Sequence, residues 1–263
     1  MVESALLNWT LNQILSLIVI LTRVAPVLFL MPILGSSSIP AQVKIMIALM
    51  TALVLLPIVP VPPESFPETA LGFMILVLSE TAFGLILAVF VRFVFAAVET
   101  AGQMVGVQMG MGMSGVLDPQ FGTQVSPVGL FWNITAILIF LSINGHHIFF
   151  RTLADSFSWV APGGLSVNQA TFDGVMQGAT HMFVLAVKIM APASAALFFS
   201  HVAMGIIAKT VPQIPILIVG MPMNIAIGLI FVGLSLGFFL PLMLTNFEML
   251  ARLLPRLGMG MGG

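Results

Sequence analysis

From residue 214 to residue 247 the chain carries no charged side chain, and the same holds from 125 to 150. Runs of this kind limit the solvents in which the chain can fold. Soluble domains are about 25% charged, whereas this chain is 6% charged and 59% hydrophobic. Much of any globule's surface must face water, so a chain of 263 residues cannot hide this much apolar surface by itself. The lipid bilayer is its natural solvent. The apolar runs approach or exceed the ~20 residues that a spanning helix needs. The expected fold class is all-α, a hydrophobic polytopic helical protein.

Six apolar regions are legible, at about 5–34, 45–61, 70–98, 125–150, 175–208 and 214–247. Several are too long for one straight span. Pro26, Pro32, Pro192, Pro215, Pro222 and Pro241 interrupt them, and Pro57, Pro60, Pro62 and Pro63 close the second. Kinked helices or helical hairpins are expected at these prolines. The connections are short, SSS at 36–38 and APGG at 161–164 read as turns, and no internal repeat is visible. A single domain over 1–263 is the expectation.

The chain has no cysteine, which excludes disulfides and thiolate metal sites. Its net charge of -1 gives no electrostatic basis for binding nucleic acid. The N-terminal segment has Glu3, no early Lys or Arg and no small-residue cleavage site, so it is expected to stay in the mature protein. Positive charge orients the chain weakly. With six spans, Lys44 and Lys209 fall on one side and Arg151, Arg252 and Arg256 on the other, with the C-terminus. An asymmetry this small points to segments that are not conventional spans.

Four charged residues lie inside apolar regions: Arg23, Glu80, Arg92 and Lys188. Each would cost about 2.5–3.5 kcal/mol at a bilayer centre. Such groups serve either an ion relay or buried pairing, and the lack of a carboxylate cluster favours pairing, within the chain or across an interface. Glu80 and Arg92 are twelve positions apart, which does not bring them together on one helix. His146, His147, His181 and His201 show no metal-ligand spacing. No nucleophile elbow or phosphate-cradling loop is present. Neither enzymatic activity, metal nor cofactor is expected.

The stretch GQMVGVQMGMGMSGVLDP (102–119) is of a different kind. Gly102, Gly106 and Gly110 recur at i, i+4 and i+8, a smooth helix face that lets another backbone approach closely. The spacing then tightens to Gly110, Gly112 and Gly115, which breaks a helix, and Asp118-Pro119 prevents an immediate restart. What remains is a loop with apolar side chains: Met109, Met111, Met113, Val116 and Leu117, with Ser114 among them. In lipid its backbone groups would lack partners, so it belongs inside protein or against a cavity. Hydrophobic constrictions gate pores by dewetting, and methionine adapts its shape to irregular gaps. A displaceable plug needs both properties.

Four segments together resemble one family. FAAVETAGQMVGVQMGMGMSGVLDP (95–119) is similar to the central motif of the FliR family, and SINGHH (142–147) to its F-N-G-H motif. VPQIPILIVGMPMNIAIG (211–228) resembles its A-P-Q-x-x-I-F-x-I-G-x-P motif. TRVAPVLFLMPILGSSSIPAQVKIMIAL (22–49) has its R-x8-P-I-L-G/S spacing. The resemblance runs in order over nearly the whole chain. LGMGMGG (257–263) matches no motif of the family.

The resemblance implies a subunit of the export gate of the bacterial flagellar type III secretion system, whose injectisome homologue is SctT. It implies assembly with FliP and FliQ into a helical, cone-shaped pore complex that stands largely above the plane of the inner membrane. It further implies FlhB around the cytoplasmic entrance, FlhA driving export, and unfolded flagellar subunits as cargo. By alignment the family's plug falls at about 106–124, beside a methionine ring from FliP, with Met113 and Val116 at its two bulky positions. The alternative is a secondary transporter for a small solute, since glycine- and proline-broken helices also mark transporter sites. A transporter should show two related halves, and none are seen.

Overall fold

The computed structural model describes residues 2–111 apart from 33, 37–38 and 60, and residues 126–262 apart from 167 and 214. The described residues form seven α-helices and a short 3-10 turn, Pro63–Ser65, with no strand among them. The helices are α1 (Val2–Leu30), α2 (Ala41–Leu55), α3 (Ala70–Gln108), α4 (Pro127–Ser142), α5 (Gly145–Trp159), α6 (Gln169–Thr210) and α7 (Ile216–Met261).

The fourth apolar region is divided at Asn144-Gly145, a dipeptide that favours turns. Asn144 takes the left-handed conformation at φ 55°, which asparagine tolerates better than most residues, and separates α4 from α5. Of the two alternatives, helix or hairpin, the fifth and sixth regions take the helix. Neither folds back as a hairpin: α6 continues through Pro192, and α7 through Pro222, Pro241 and Pro255. Proline removes one backbone hydrogen bond, whereas a reversal in apolar surroundings would leave many groups unpaired.

Four stretches are long and apolar enough to cross a membrane: Trp9–Leu30, Ala70–Gln108, Gln169–Thr210 and Ile218–Met261, with α4 and α5 together as a broken fifth. At 1.5 Å per residue the 39, 42 and 46 residues of α3, α6 and α7 measure about 58, 63 and 69 Å. That is roughly twice the ~30 Å hydrocarbon thickness.

The chain divides into two compact units. One comprises Met1–Phe93, Asn144–Gly178 and Glu248–Gly263. The other comprises Val94–Ile143 and Ala179–Phe247. In the first, α1 buries Ile20, Val24, Val27 and Leu28, and α3 buries Leu76, Phe83, Leu87 and Phe90. These are helical stripes, and Arg23 and Glu80 fall within them. APGG forms the turn it signals: Gly164 N–H donates to Ala161 O at 2.8 Å, and Gly163, at φ 78°, takes the position a type II turn reserves for glycine.

The C-terminal LGMGMGG is part of this first unit. It is helical as far as Met261, which is buried. Ser166 N–H donates to Met261 O at 2.9 Å, and Asn168 Nδ2 donates to Gly260 O at 3.2 Å. A Cβ on Gly258 would lie 3.0 Å from Trp159 Cζ3 and inside contact distance of Cε3. Gly258→Leu is therefore expected to cost about 1–3 kcal/mol by overpacking, read as a lower melting temperature of the detergent-solubilised chain.

The second unit is built on aromatic packing. Trp132 stacks on Phe239 at 6.2 Å between ring centroids. Phe95, Phe140 and Phe247 form a mutual cluster at 5.2–5.7 Å. Such pairs contribute about 0.5–1.5 kcal/mol each beyond the area they bury.

Candidate functional site

The end of α3 closes on a Schellman motif. Met111 N–H donates to Gly106 O at 3.0 Å, and Gly110 N–H donates to Val107 O at 3.0 Å. Gly110 supplies the left-handed residue at φ 83° that this ending requires. The helix therefore ends where the glycine spacing tightens. Gly112, Met113, Ser114, Gly115, Val116 and Leu117 lie outside the described residues. Met109, Gly110 and Met111 lie within them, and Met109 is fully buried.

Gly102 and Gly106 pack against the start of α4. A Cβ on Gly102 would lie 2.7 Å from Gly129 N and closer still to Gly129 Cα, so backbone meets backbone there. One turn later, a Cβ on Gly106 would lie 2.6 Å from Ser126 Cβ. Gln103 Oε1 accepts the Ser126 N–H at 3.3 Å, satisfying a donor at the N-terminus of α4. The last turns of α3 and the start of α4 are thus held side by side.

The intramembrane charges separate into two groups. Arg23 and Glu80 form a bidentate pair, Nε–Oε2 at 2.5 Å and Nη2–Oε1 at 3.0 Å, with side chains 0% and 1% exposed. Arg23 Nη1 also donates to Ser156 O and Oγ, and Nη2 to Val160 O. All five guanidinium N–H groups are therefore used. Glu80 Oε1 accepts the Gly163 N–H at 2.9 Å as well. The guanidinium lies between the rings of Phe83 and Phe157, 4.5 and 4.1 Å from their centroids. A group with every donor committed to a fixed acceptor holds segments together and leaves nothing for a relay. Here it joins α1, α3, α5 and the loop after α5. Arg92 and Lys188 are exposed, on α3 and α6.

The histidines have hydrogen-bonding or stacking neighbours. His181 Nε2 lies 2.7 Å from Asn246 Oδ1, and Asn224 Nδ2 lies 3.1 Å from His201 Nε2. Ser200 Oγ donates to Asn224 Oδ1 at 2.6 Å. The rings of His146 and His147 meet edge to face at 4.3 Å. The asparagine partners escape sequence inspection because each lies 23 or 65 positions from its histidine.

Comparison with known proteins gives this arrangement its context. The family model described as bacterial export proteins, family 1, matches residues 14–250. A flagellar biosynthetic protein FliR from Bacillus subtilis is 31% identical over 232 residues, covering 84% of this chain and 87% of the relative. The chain belongs to the FliR family of bacterial export proteins. FliR of Escherichia coli is 27% identical over 209 residues, 80% of this chain and 79% of its own. FliR of Pectobacterium carotovorum is 27% identical over 239 residues, 89% of this chain and 91% of its own. The small-solute transporter alternative finds no support among these FliR relatives.

Proposed function

We propose that this chain is the FliR component of the flagellar type III export apparatus. In this reading it forms, with FliP and FliQ, the channel through which unfolded flagellar subunits cross the bacterial inner membrane at the basal body. FlhB and FlhA act at the same gate, and the role of this chain is structural and gating rather than enzymatic. The observation that carries the reading is the family match over residues 14–250. The physical state of the helices supports it. Ile218, Leu234 and Phe199 are 69–71% exposed on helices about twice as long as a bilayer is thick. Lipid cannot cover all of that surface, so other apolar subunits must. Lys188 is exposed on the same kind of surface, where another subunit can meet its charge.

The segment at about 106–124 is the plug of the idle channel. Its apolar side chains, Met113 and Val116 foremost, exclude water and ions, and its glycines let it yield to a passing chain. An open population of 1% corresponds to about 2.7 kcal/mol, within reach of a small apolar plug. Deleting residues 110–116 is expected to leave the assembly intact and make cells leak ions. Unchanged permeability would sink the plug reading. The wider reading is tested by co-purification. Tagged chain expressed with and without FliP and FliQ from its own genome, then weighed by native mass spectrometry, should give a discrete hetero-oligomer only with both. A stable assembly of this chain alone would overturn it.

A further inference from the structure

Met109 fills a gap left by the missing side chain of Gly228 on α7. A Cβ on Gly228 would lie 2.6 Å from both Cγ and Sδ of Met109 and 2.8 Å from its Cε. Methionine is unbranched and turns about three bonds, so it holds one shape only when enclosed. Met109 is 0% exposed, which meets that condition. Met221 lies seven positions before Gly228, two turns away on the same face of α7. A Cβ on Gly110 would meet Met221 Cγ and Cε at 3.8 Å, ordinary contact. Residues 109 and 110, which end α3 through its Schellman bonds, therefore rest on one stripe of α7.

We infer that Gly228 is a positioning residue: it forms a socket that locks Met109 and so sets the direction in which the chain leaves α3. The inference rests on the plug reading, because the direction matters only if the following segment must sit in one place. The socket acts through Met109 and touches no exported chain. A side chain on Gly228 would evict Met109 while leaving the contact of Gly102 and Gly106 with α4 as it is.

The test uses cells carrying the chain with its own partners. Four variants are compared with the parent: Gly228→Ala, Met109→Ala, the two combined, and deletion of 110–116 as a reference. Two quantities are read, the mass of the co-purified assembly and the ion permeability of cells that are not exporting. Each single substitution is expected to leave the assembly unchanged and raise permeability about tenfold, as when an open population rises from 1% to 10%. In the double variant the added methyl occupies space that Met109 vacates, so permeability should fall back toward the parent. Three results overturn the inference. If the deletion leaks and the single variants do not, the socket fails and the plug stands. If the deletion does not leak, the plug reading falls and takes the socket with it. If the single variants lose the assembly, the contact holds the fold together and does not aim the segment.

Discussion

Glu80→Ala is expected to remove about 3–5 kcal/mol of folding stability, the range seen when one partner of a buried ion pair is deleted. The cost comes from what is left behind. Arg23 would keep its charge with no countercharge, at 0% exposure, between two phenylalanine rings. Gly163 N–H would lose its acceptor too. For a chain of this size the loss corresponds to a fall in melting temperature of roughly 6–20 °C, measurable by circular dichroism of the detergent-solubilised protein. Arg23→Lys should fail nearly as badly. An ammonium has three donors on one atom and cannot reach the carboxylate, Ser156 and Val160 together. Replacing both partners, Arg23→Met with Glu80→Leu, should recover most of the loss, because no charge stays buried. If Glu80→Ala melts like the parent, the pair is not what joins α1 to α3.

The second large effect is asymmetric. Gly102 and Gly129 face each other, yet only one of them is intolerant. A Cβ on Gly102 would sit 2.7 Å from Gly129 N, and the opposing atoms are backbone, which cannot rotate away. Gly102→Ala should therefore push α3 and α4 apart at about 3 kcal/mol, the upper part of the overpacking range. A Cβ on Gly129 would find its nearest neighbours, Gly102 C and Gln103 N, at 3.5 and 3.6 Å. That is ordinary contact, and alanine improves a helix interior by about 0.5–1 kcal/mol over glycine. Gly129→Ala should be neutral or slightly stabilising. Equal destabilisation of the two variants would contradict the packing described here.

Local signals were the legible ones. Asn144-Gly145 and Gly110 mark breaks because the left-handed backbone they supply is a property of those residues alone. The prolines left kinked helices and hairpins both open, because a local rule about one lost hydrogen bond does not weigh the pairing needs of a whole apolar helix. Arg23 and Glu80 stand out in sequence as expensive groups. Their partnership does not, since 57 positions and three other segments separate the parts of the cluster. Arg92 and Lys188 show the limit of the same signal: charge inside an apolar run announces a cost without saying which surface will meet it. Gly228 is the extreme case. One glycine among 24 acquires meaning only from the methionine that enters it.

Because Gly106 lies against Ser126, the chain leaves α3 and enters α4 at nearly the same point. The entropy of closing a loop between fixed ends grows only logarithmically, by about 0.6 kcal/mol for each doubling of its length. What holds the two helix ends together is therefore the contact at Gly106 and Ser126 itself. An insertion inside α3 would rotate every stripe beyond it out of register. The register of α3 against α4 is therefore set by the contact at Gly106, and the interior of α3 is where the fold forgives a change of length least.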